Sequence, residues 1–193
     1  MTKKIYRSVD SIQSDGKKIR GTAIVFDSWS KDLGGFREII RRESVTPGLI
    51  EASDIQLNVD HDPSKMLARC KNGKGSLRIN VTERGLEFET DVPDTQLGHD
   101  MQVMLERGDY QQCSFCFTLP AEGGERWFRD ESNALCREIT NFAELFDVSI
   151  VYNPAYDETE ASARQLQEVG IMEKMTILEN EIKTIYCGKD DYD

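Results

Sequence analysis

The chain contains two histidines, and their surroundings in the sequence differ. His61 follows residues 55–59, where apolar and polar residues alternate with the period of a half-buried strand. If the alternation continues, the His61 imidazole lies on the apolar face, as a core histidine or as a general base. His99 lies on the polar side of a helix predicted over residues 94–107, so we expect it to face water. His61 is therefore the histidine with the potential for acid–base chemistry.

A serine in a mostly apolar segment is the second candidate for chemistry. Ser114 lies in residues 111–119, where the alternation predicts a strand that offers little to water on either face. A hydroxyl is a poor nucleophile unless a base removes its proton, and His61 is the base predicted to be buried. The alternative is a serine that only bonds a neighbouring carbonyl. Together, Ser114 and His61 indicate a nucleophile with its general base.

A carboxylate that orients the imidazole would complete this arrangement. Asp147 interrupts a mostly apolar face of the strand predicted over residues 144–152. A buried carboxylate is costly unless it is paired, so Asp147 requires a partner. Glu144 is the alternative acid, at the entrance of the same strand and on its other face. A serine, a histidine and an acid are the set that attacks carbonyl carbons in hydrolases.

Metal and redox chemistry are the competing interpretations. Cys113 and Cys116 have C-x-x-C spacing, but positions i and i+3 of a strand face opposite sides, and no second ligand pair accompanies them. Asp60, His61 and Asp62 could hold a metal ion in a metal-dependent hydrolase. One histidine between two aspartates is a weak metal signal, and we expect no metal and no cofactor.

The elements that would position these residues predict an α+β fold that is mainly β. The glycine at position 85 marks the turn of one predicted hairpin. Many short strands around one long helix predict a mostly antiparallel, closed or nearly closed β-barrel with surrounding helices. The predicted strands and hairpin cover residues 22–26, 55–59, 77–92, 111–119 and 144–152.

Composition excludes several classes of partner. The 193 residues carry a formal net charge of −11, and no cationic cluster could track a nucleic-acid backbone. No stretch approaches the roughly 18 consecutive apolar residues of a membrane span. Five scattered cysteines do not form a disulfide framework, which favours a reducing compartment. We therefore expect neither a nucleic-acid partner nor a membrane association.

The C-terminal region has a different character. After about residue 157 glutamate and alanine replace the β-branched residues, and apolar residues then recur with 4-3-4-3 spacing over residues 171–186. Such a stripe predicts a helix that packs on a partner, which includes a second copy in a homo-oligomer, or on its own domain. The sequence thus predicts a domain over residues 1–165 and a C-terminal amphipathic helix with an acidic tail over residues 166–193.

Four segments resemble the prohead serine proteases of tailed phages, which mature the capsid and are related in fold to the herpesvirus assemblin proteases. The last segment, with its acid-Val-Ser core and Pro-Ala ending, is the most specific. The resemblance covers residues 20–165. The four segments are Gly21–Phe26, Leu57–Asp62, Cys113–Phe117 and Leu145–Ala155.

The resemblance implies a herpesvirus-protease-like barrel with His61 as general base, Ser114 as nucleophile and an acid near Asp147. Glu144 stays open, because relatives commonly carry glutamate where this chain has aspartate. Arg137 is the implied candidate for stabilising the oxyanion. The implied substrates are scaffold segments, the major capsid protein and the protease itself, inside the immature capsid in the host cytoplasm. The alternative is a capsid assembly or scaffold protein that keeps the barrel without catalysis.

Overall fold

The computed structural model describes residues 4–9, 12–152 and 170. In this part the chain forms thirteen strands, helices α1 (Pro47–Ala52) and α2 (Gln96–Arg107), and a 3-10 turn at Arg42–Ser44. In chain order the strands are β1 (Ile5–Val9), β2 (Ile12–Ser14), β3 (Lys18–Val25), β4 (Arg37–Ile40), β5 (Asp54–Val59), β6 (Asp62–Lys71), β7 (Lys74–Gly75), β8 (Arg78–Val81), β9 (Gly85–Asp91), β10 (Gln112–Thr118), β11 (Glu125–Arg129), β12 (Leu135–Ile139) and β13 (Glu144–Val151).

These strands form three sheets. A six-stranded sheet has the order β1, β10, β13, β5, β6 and β7. A four-stranded sheet has the order β2, β3, β9 and β8, and a three-stranded sheet the order β11, β12 and β4. Neighbouring strands are antiparallel, except that β13 is parallel to β5 and β12 is parallel to β4.

The predicted closed or nearly closed barrel with surrounding helices is wrong. Among the described residues no sheet closes, and the six-stranded sheet ends at β1 on one side and at β7 on the other. The structure is mainly β with two short helices. Alternation along a strand indicates which side chains share a face, but not which strands are neighbours. The two parallel pairs join strands far apart in the sequence and interrupt the antiparallel order that the prediction assumed.

The hydrophobic core lies between one face of the six-stranded sheet and the four-stranded sheet. Strand β3 packs against β1 and β10 across this space. Phe117 stacks on Phe115 and on Phe142, with ring centroids 5.5 and 4.1 Å apart. Both sheets contribute fully buried side chains to one cluster, among them Ile19, Ile24, Ile55, Leu57, Leu86, Phe88, Val148 and Ile150.

The helix predicted over residues 94–107 is confirmed as α2. The Thr95 hydroxyl caps it by accepting a hydrogen bond from the Gly98 N–H at 3.1 Å. Gly108, with a φ of 79°, ends it in the left-handed conformation that glycine adopts without strain. His99 is 60% exposed and faces solvent as predicted. The helix and its terminal glycine lead the chain into β10.

The two predictions for the C-terminal region concern residues that the structure does not describe. The helix predicted over residues 171–186, and the boundary between residues 1–165 and 166–193, lie outside the described residues. Within the described part, no helix has the length and apolar character needed to cross a membrane.

Candidate active site

The two faces of the six-stranded sheet differ in chemistry. One face packs into the core, whereas the other carries polar side chains that are nevertheless buried. In the register, Ser114 of β10 lies opposite Ser149 of β13, which lies opposite Asn58 of β5. Two residues further along β10, Cys116 lies opposite Asp147. Because directly paired residues share a face, these five side chains form one buried polar face.

His61 reaches this face from a tight turn. Val59 of β5 pairs with Asp62 of β6, which leaves Asp60 and His61 as the two residues of the hairpin connection. Their φ angles are 53° and 56°, as a type I′ turn requires at both central positions. The prediction that His61 continues the strand is therefore wrong. The chain reverses direction at Asp60, and the imidazole comes to the polar face from the end of the hairpin.

The structure brings His61, Ser114 and Asp147 together in a hydrogen-bonded series. The His61 Nε2 lies 2.6 Å from the Ser114 Oγ, and its Nδ1 lies 2.6 Å from the Asp147 Oδ1. In the neutral tautomer with the proton on Nδ1, the imidazole donates to Asp147 and accepts from the serine hydroxyl. Ser114 is buried, and the imidazole side chain is 20% exposed. The arrangement suits removal of the hydroxyl proton by the imidazole.

Two further residues hold this series, and the sequence analysis did not assign them. The Ser149 hydroxyl donates to the Asp147 Oδ1 at 2.9 Å from a fully buried position. The Tyr6 ring and the His61 imidazole form a T-shaped pair, with a centroid distance of 4.7 Å and an interplanar angle of 77°. The spacing of Ser149, two positions after Asp147 on the same face, was a signal for its contact. Nothing in the local sequence indicates the contact of Tyr6, because β1 reaches the site only through its pairing with β10.

The two remaining candidates lie apart from these contacts. Glu144 is exposed at the start of β13, where it pairs with Thr118, and the carboxylate that contacts His61 is that of Asp147. Arg137 is buried in β12, and its guanidinium donates to the carboxylates of Glu38 and Glu125. Its charge is therefore already balanced in the structure. Its predicted contribution to the oxyanion stays a prediction.

A buried ion cluster, formed by Arg7, Glu38 and Arg137, fastens β1 to the three-stranded sheet. Arg7 donates to both Glu38 carboxylate oxygens at 2.6 and 2.8 Å, and Arg137 donates to one of them at 2.8 Å. Burial alone would raise the pKa of Glu38, but the charges of the two arginines outweigh it and hold the pKa below its ordinary value. Since Arg7 follows Tyr6 in β1, the cluster also secures the strand that packs on His61.

The residues considered for redox or metal chemistry have the following surroundings in the structure. Cys113 belongs to the hydrophobic core, whereas Cys116 lies on the polar face, so the two thiols do not form a pair. Burial raises the pKa of Cys113, and it raises that of Cys116 to about 12, so both thiols are protonated near neutral pH. Within the described part of the chain, no three His, Cys, Asp or Glu side chains converge as a metal site. Asp62 instead accepts hydrogen bonds from Ser64.

A serine hydroxyl, an imidazole and a carboxylate bonded in series are the arrangement of the serine hydrolases. Comparison with protein families agrees: residues 4–172 match the caudovirus prohead serine proteases, and the chain belongs to this family. It is thus a member of a family of hydrolases, the serine proteases of phage capsid maturation. Searches of curated proteins and of solved structures find no match to the chain. The implied relation to the herpesvirus assemblin proteases is therefore not confirmed.

Proposed function

We propose that the protein is a prohead maturation endopeptidase in which Ser114 is the nucleophile, His61 the general base and Asp147 the residue that orients the imidazole. The observation that carries this proposal is the series of 2.6 Å contacts from Ser114 through His61 to Asp147. Membership of a serine-protease family supplies the reaction class. Asp147 takes precedence over Glu144, because it makes the contact to the imidazole.

The geometry supports a two-stage mechanism. The Ser114 Oγ attacks the peptide carbonyl carbon while His61 Nε2 accepts the hydroxyl proton, and His61 then delivers that proton to the leaving amine as the C–N bond breaks. A water molecule, deprotonated by His61, then attacks the acyl ester and releases the new carboxyl group and Ser114. In both stages the Asp147 carboxylate stabilises the transient imidazolium and keeps its ring oriented.

The negative charge on the tetrahedral intermediate needs hydrogen-bond donors. Arg137 is the proposed candidate from the family resemblance. Its hydrogen bonds to Glu38 and Glu125 use two of the five N–H donors of the guanidinium, so one of the other N–H groups would have to face the oxyanion. Lysine at position 137 would keep the charge but lose the fork of donors. The Arg137→Lys variant should therefore lower kcat more than it raises KM if Arg137 serves the oxyanion.

The proposed substrates are scaffold segments, the N-terminal region of the major capsid protein and the protease itself, inside the immature capsid in the host cell. The family supports capsid proteins as substrates. Confinement in a shell gives a high effective concentration, which compensates for weak binding of any single peptide segment. Self-cleavage is part of this proposal because enzyme and substrate occupy the same enclosed volume.

The test of the proposed function is cleavage of the capsid precursor on a gel. Wild type and a Ser132→Ala control, which removes a hydroxyl from an exposed turn, should both produce the shortened capsid protein. Ser114→Ala should leave the precursor intact. If Ser114→Ala cleaves as well as the control, the serine mechanism is wrong. If wild type binds the precursor and never cleaves it, the non-catalytic assembly protein is the better interpretation.

The proposed division of the chain into residues 1–165 and 166–193 rests on the sequence pattern. We further propose that the helix predicted over residues 171–186 docks on a second copy or on a capsid protein. Replacing Leu178 and Ile182 with serine should lower the mass measured by light scattering, or incorporation into particles, while short-peptide cleavage persists. Serine at Glu179 and Lys183, off the apolar stripe, is the matched control. Unchanged mass and incorporation would show that the helix packs on its own domain.

A further inference from the structure

The turn that carries His61 is held by two hydrogen bonds outside the catalytic series. The Tyr110 hydroxyl donates to the Asp60 Oδ2 at 2.9 Å. The Asp60 backbone N–H donates to the Ile150 carbonyl oxygen of β13 at 3.0 Å. Asp60 directly precedes His61, so both bonds act on the peptide segment that sets the direction of the imidazole.

This turn needs such anchors because its backbone is unfavourable for the residues in it. Both Asp60 and His61 have positive φ, and type I′ turns strongly prefer Asn-Gly or similar pairs at these positions. Non-glycine residues in the left-handed region are strained and persist where the surroundings fix them. Aspartate and histidine tolerate the left-handed region better than most residues, but less well than the glycine that such a turn prefers at its second position. Contacts to Asp60 therefore decide how firmly the turn holds.

Tyr110 lies between the strand that carries Ser114 and the turn that carries His61. It lies between the end of α2 and the start of β10, four residues before Ser114. Its half-buried ring meets the ring of Tyr152 at the end of β13, with centroids 5.9 Å apart at an angle of 72°. The segment that leads into the nucleophile strand thus bonds directly to the turn that carries the base.

We propose that Tyr110 is a positioning residue that acts through Asp60 to fix His61 relative to Ser114. This inference rests on the proposed function, because it concerns the same reaction. Tyr110 does not contact the reacting atoms. Its hydroxyl, by bonding Asp60, keeps the Nε2 of His61 within proton-transfer distance of the serine. Losing the bond would let the turn relax, and small misplacements of reacting groups have large effects on rate.

The Tyr110 hydroxyl stays protonated between pH 6 and pH 8. Burial first, and then the hydrogen bond and negative charge of Asp60, raise the pKa of Tyr110 to about 12. The phenol is therefore a protonated donor at neutral pH, so the link to Asp60 does not switch between states there. The contribution of Tyr110 should be the same at pH 6 and at pH 8.

The experiment compares Tyr110→Phe with Tyr152→Phe, which removes a hydroxyl from the ring packed on Tyr110 and leaves the Asp60 bond intact. The first readout is the rate at which a small fluorophosphonate modifies Ser114, which reports activation of the serine without a bound peptide. The second is peptide cleavage, separated into kcat and KM. We expect Tyr110→Phe to lower the modification rate and kcat by about 10-fold, with little change in KM. Tyr152→Phe should match wild type.

Variants at Asp60 separate the hydrogen bond from backbone strain. Asp60→Asn keeps an acceptor for the tyrosine hydroxyl and tolerates positive φ, so it should stay within about twofold of wild type. Asp60→Gly relieves the backbone strain but lacks the acceptor for the tyrosine hydroxyl. Adding Tyr110→Phe to Asp60→Gly should therefore cause no further loss of rate. Circular dichroism at the assay temperature establishes that each variant is folded.

The outcomes distinguish this inference from the proposed function. If Tyr110→Phe reacts with fluorophosphonate as fast as Tyr152→Phe, or if Asp60→Asn is as slow as Tyr110→Phe, the positioning role is overturned. In either case an unreactive Ser114→Ala leaves the proposed function intact. If Ser114→Ala still cleaves peptide, the proposed function itself fails, whatever the tyrosine variants do.

Discussion

Glu38 and Asp147 are both buried carboxylates, yet their partners differ in kind. Glu38 accepts three hydrogen bonds from Arg7 and Arg137, which are permanently charged. Asp147 accepts one from the neutral hydroxyl of Ser149, and its ionic partner in the described part of the chain is His61. The charge of Glu38 is balanced at all times. That of Asp147 gains a full counter-charge only when the imidazole takes up a proton.

The comparison separates structural from chemical uses of a buried charge. In the ion cluster every charge has a fixed partner, so proton transfer has no role there and the cluster joins β1 to β4 and β12. On the polar face of the six-stranded sheet, the proposed mechanism moves one proton from Ser114 to His61, which converts a neutral pair into a charged one that Asp147 would stabilise. We therefore expect Asp147 variants to change rates and Glu38 variants to change stability.

The largest expected effect is the loss of the serine or its base. Ser114→Ala and His61→Ala should each lower kcat by about 10⁶-fold, and the double variant should lose hardly more than either one. The measurement is cleavage of a fluorogenic peptide by each protein at matched concentration. Additive losses in the double variant would mean that the two residues do not work as a unit.

The next effect is on the orientation of the imidazole. Asp147→Asn should lower kcat by about 10⁴-fold, because the amide favours the wrong tautomer of His61 and cannot stabilise the imidazolium. The urea midpoint should change far less than the rate. Glu144→Gln is the matched control on the same strand and should cleave normally. A larger loss for Glu144→Gln than for Asp147→Asn would transfer the orienting role to Glu144.

The third prediction concerns Glu38, the carboxylate of the buried ion cluster. Glu38→Gln removes the buried carboxylate that lies between Arg7 and Arg137, and breaking such a buried ion pair typically costs about 3–5 kcal/mol in the free energy of unfolding. Urea titration measures this loss against Glu131→Gln, an exposed control. Peptide cleavage by the folded fraction should persist. A Glu38→Gln variant with wild-type stability and no activity would contradict the structural role of Glu38.

The smallest effect is a pH dependence of that stability difference. The pKa of Glu38 in the folded protein lies below its ordinary value of 4.5. The ionised carboxylate therefore contributes stability above about pH 4.5, and this contribution is lost as the pH falls through the lower folded pKa. The gap in unfolding free energy between wild type and Glu38→Gln should be full at neutral pH and shrink below about pH 4.5. A constant gap would mean that the glutamate charge is not its source.

The sequence allowed the choice of three side chains that prove to be in contact, but it did not allow the prediction of the strand order, for a physical reason. Ser114 and Asp147 lie within regular strands, where an interval of two residues fixes the face of each side chain. His61 reaches these side chains by a different geometry from the predicted one, because residues 55–59 gave no sign that the chain turns at Asp60. The barrel prediction failed because strand order depends on pairings between distant segments, which alternation does not encode.

Contacts from distant parts of the chain were likewise beyond sequence reasoning. Tyr6 packs on His61 from 55 positions away, and Tyr110 bonds Asp60 from 50 positions away. Arg137 stood out only through the family resemblance. Its partner Glu38 lies 99 positions away, so its part in the buried ion cluster could not be anticipated. In each case the spacing along the chain carries no information until the sheets are assembled.

The central claim is that His61 activates Ser114, and covalent labelling tests it most directly. A fluorophosphonate should transfer one phosphonyl group to the Ser114 Oγ with loss of fluoride, and peptide mapping by mass spectrometry should locate the adduct on that residue. His61→Ala and Ser114→Ala should remain unlabelled under the same conditions. An adduct on another serine, or cleavage of the capsid precursor by wild type with no adduct on Ser114, would contradict the account.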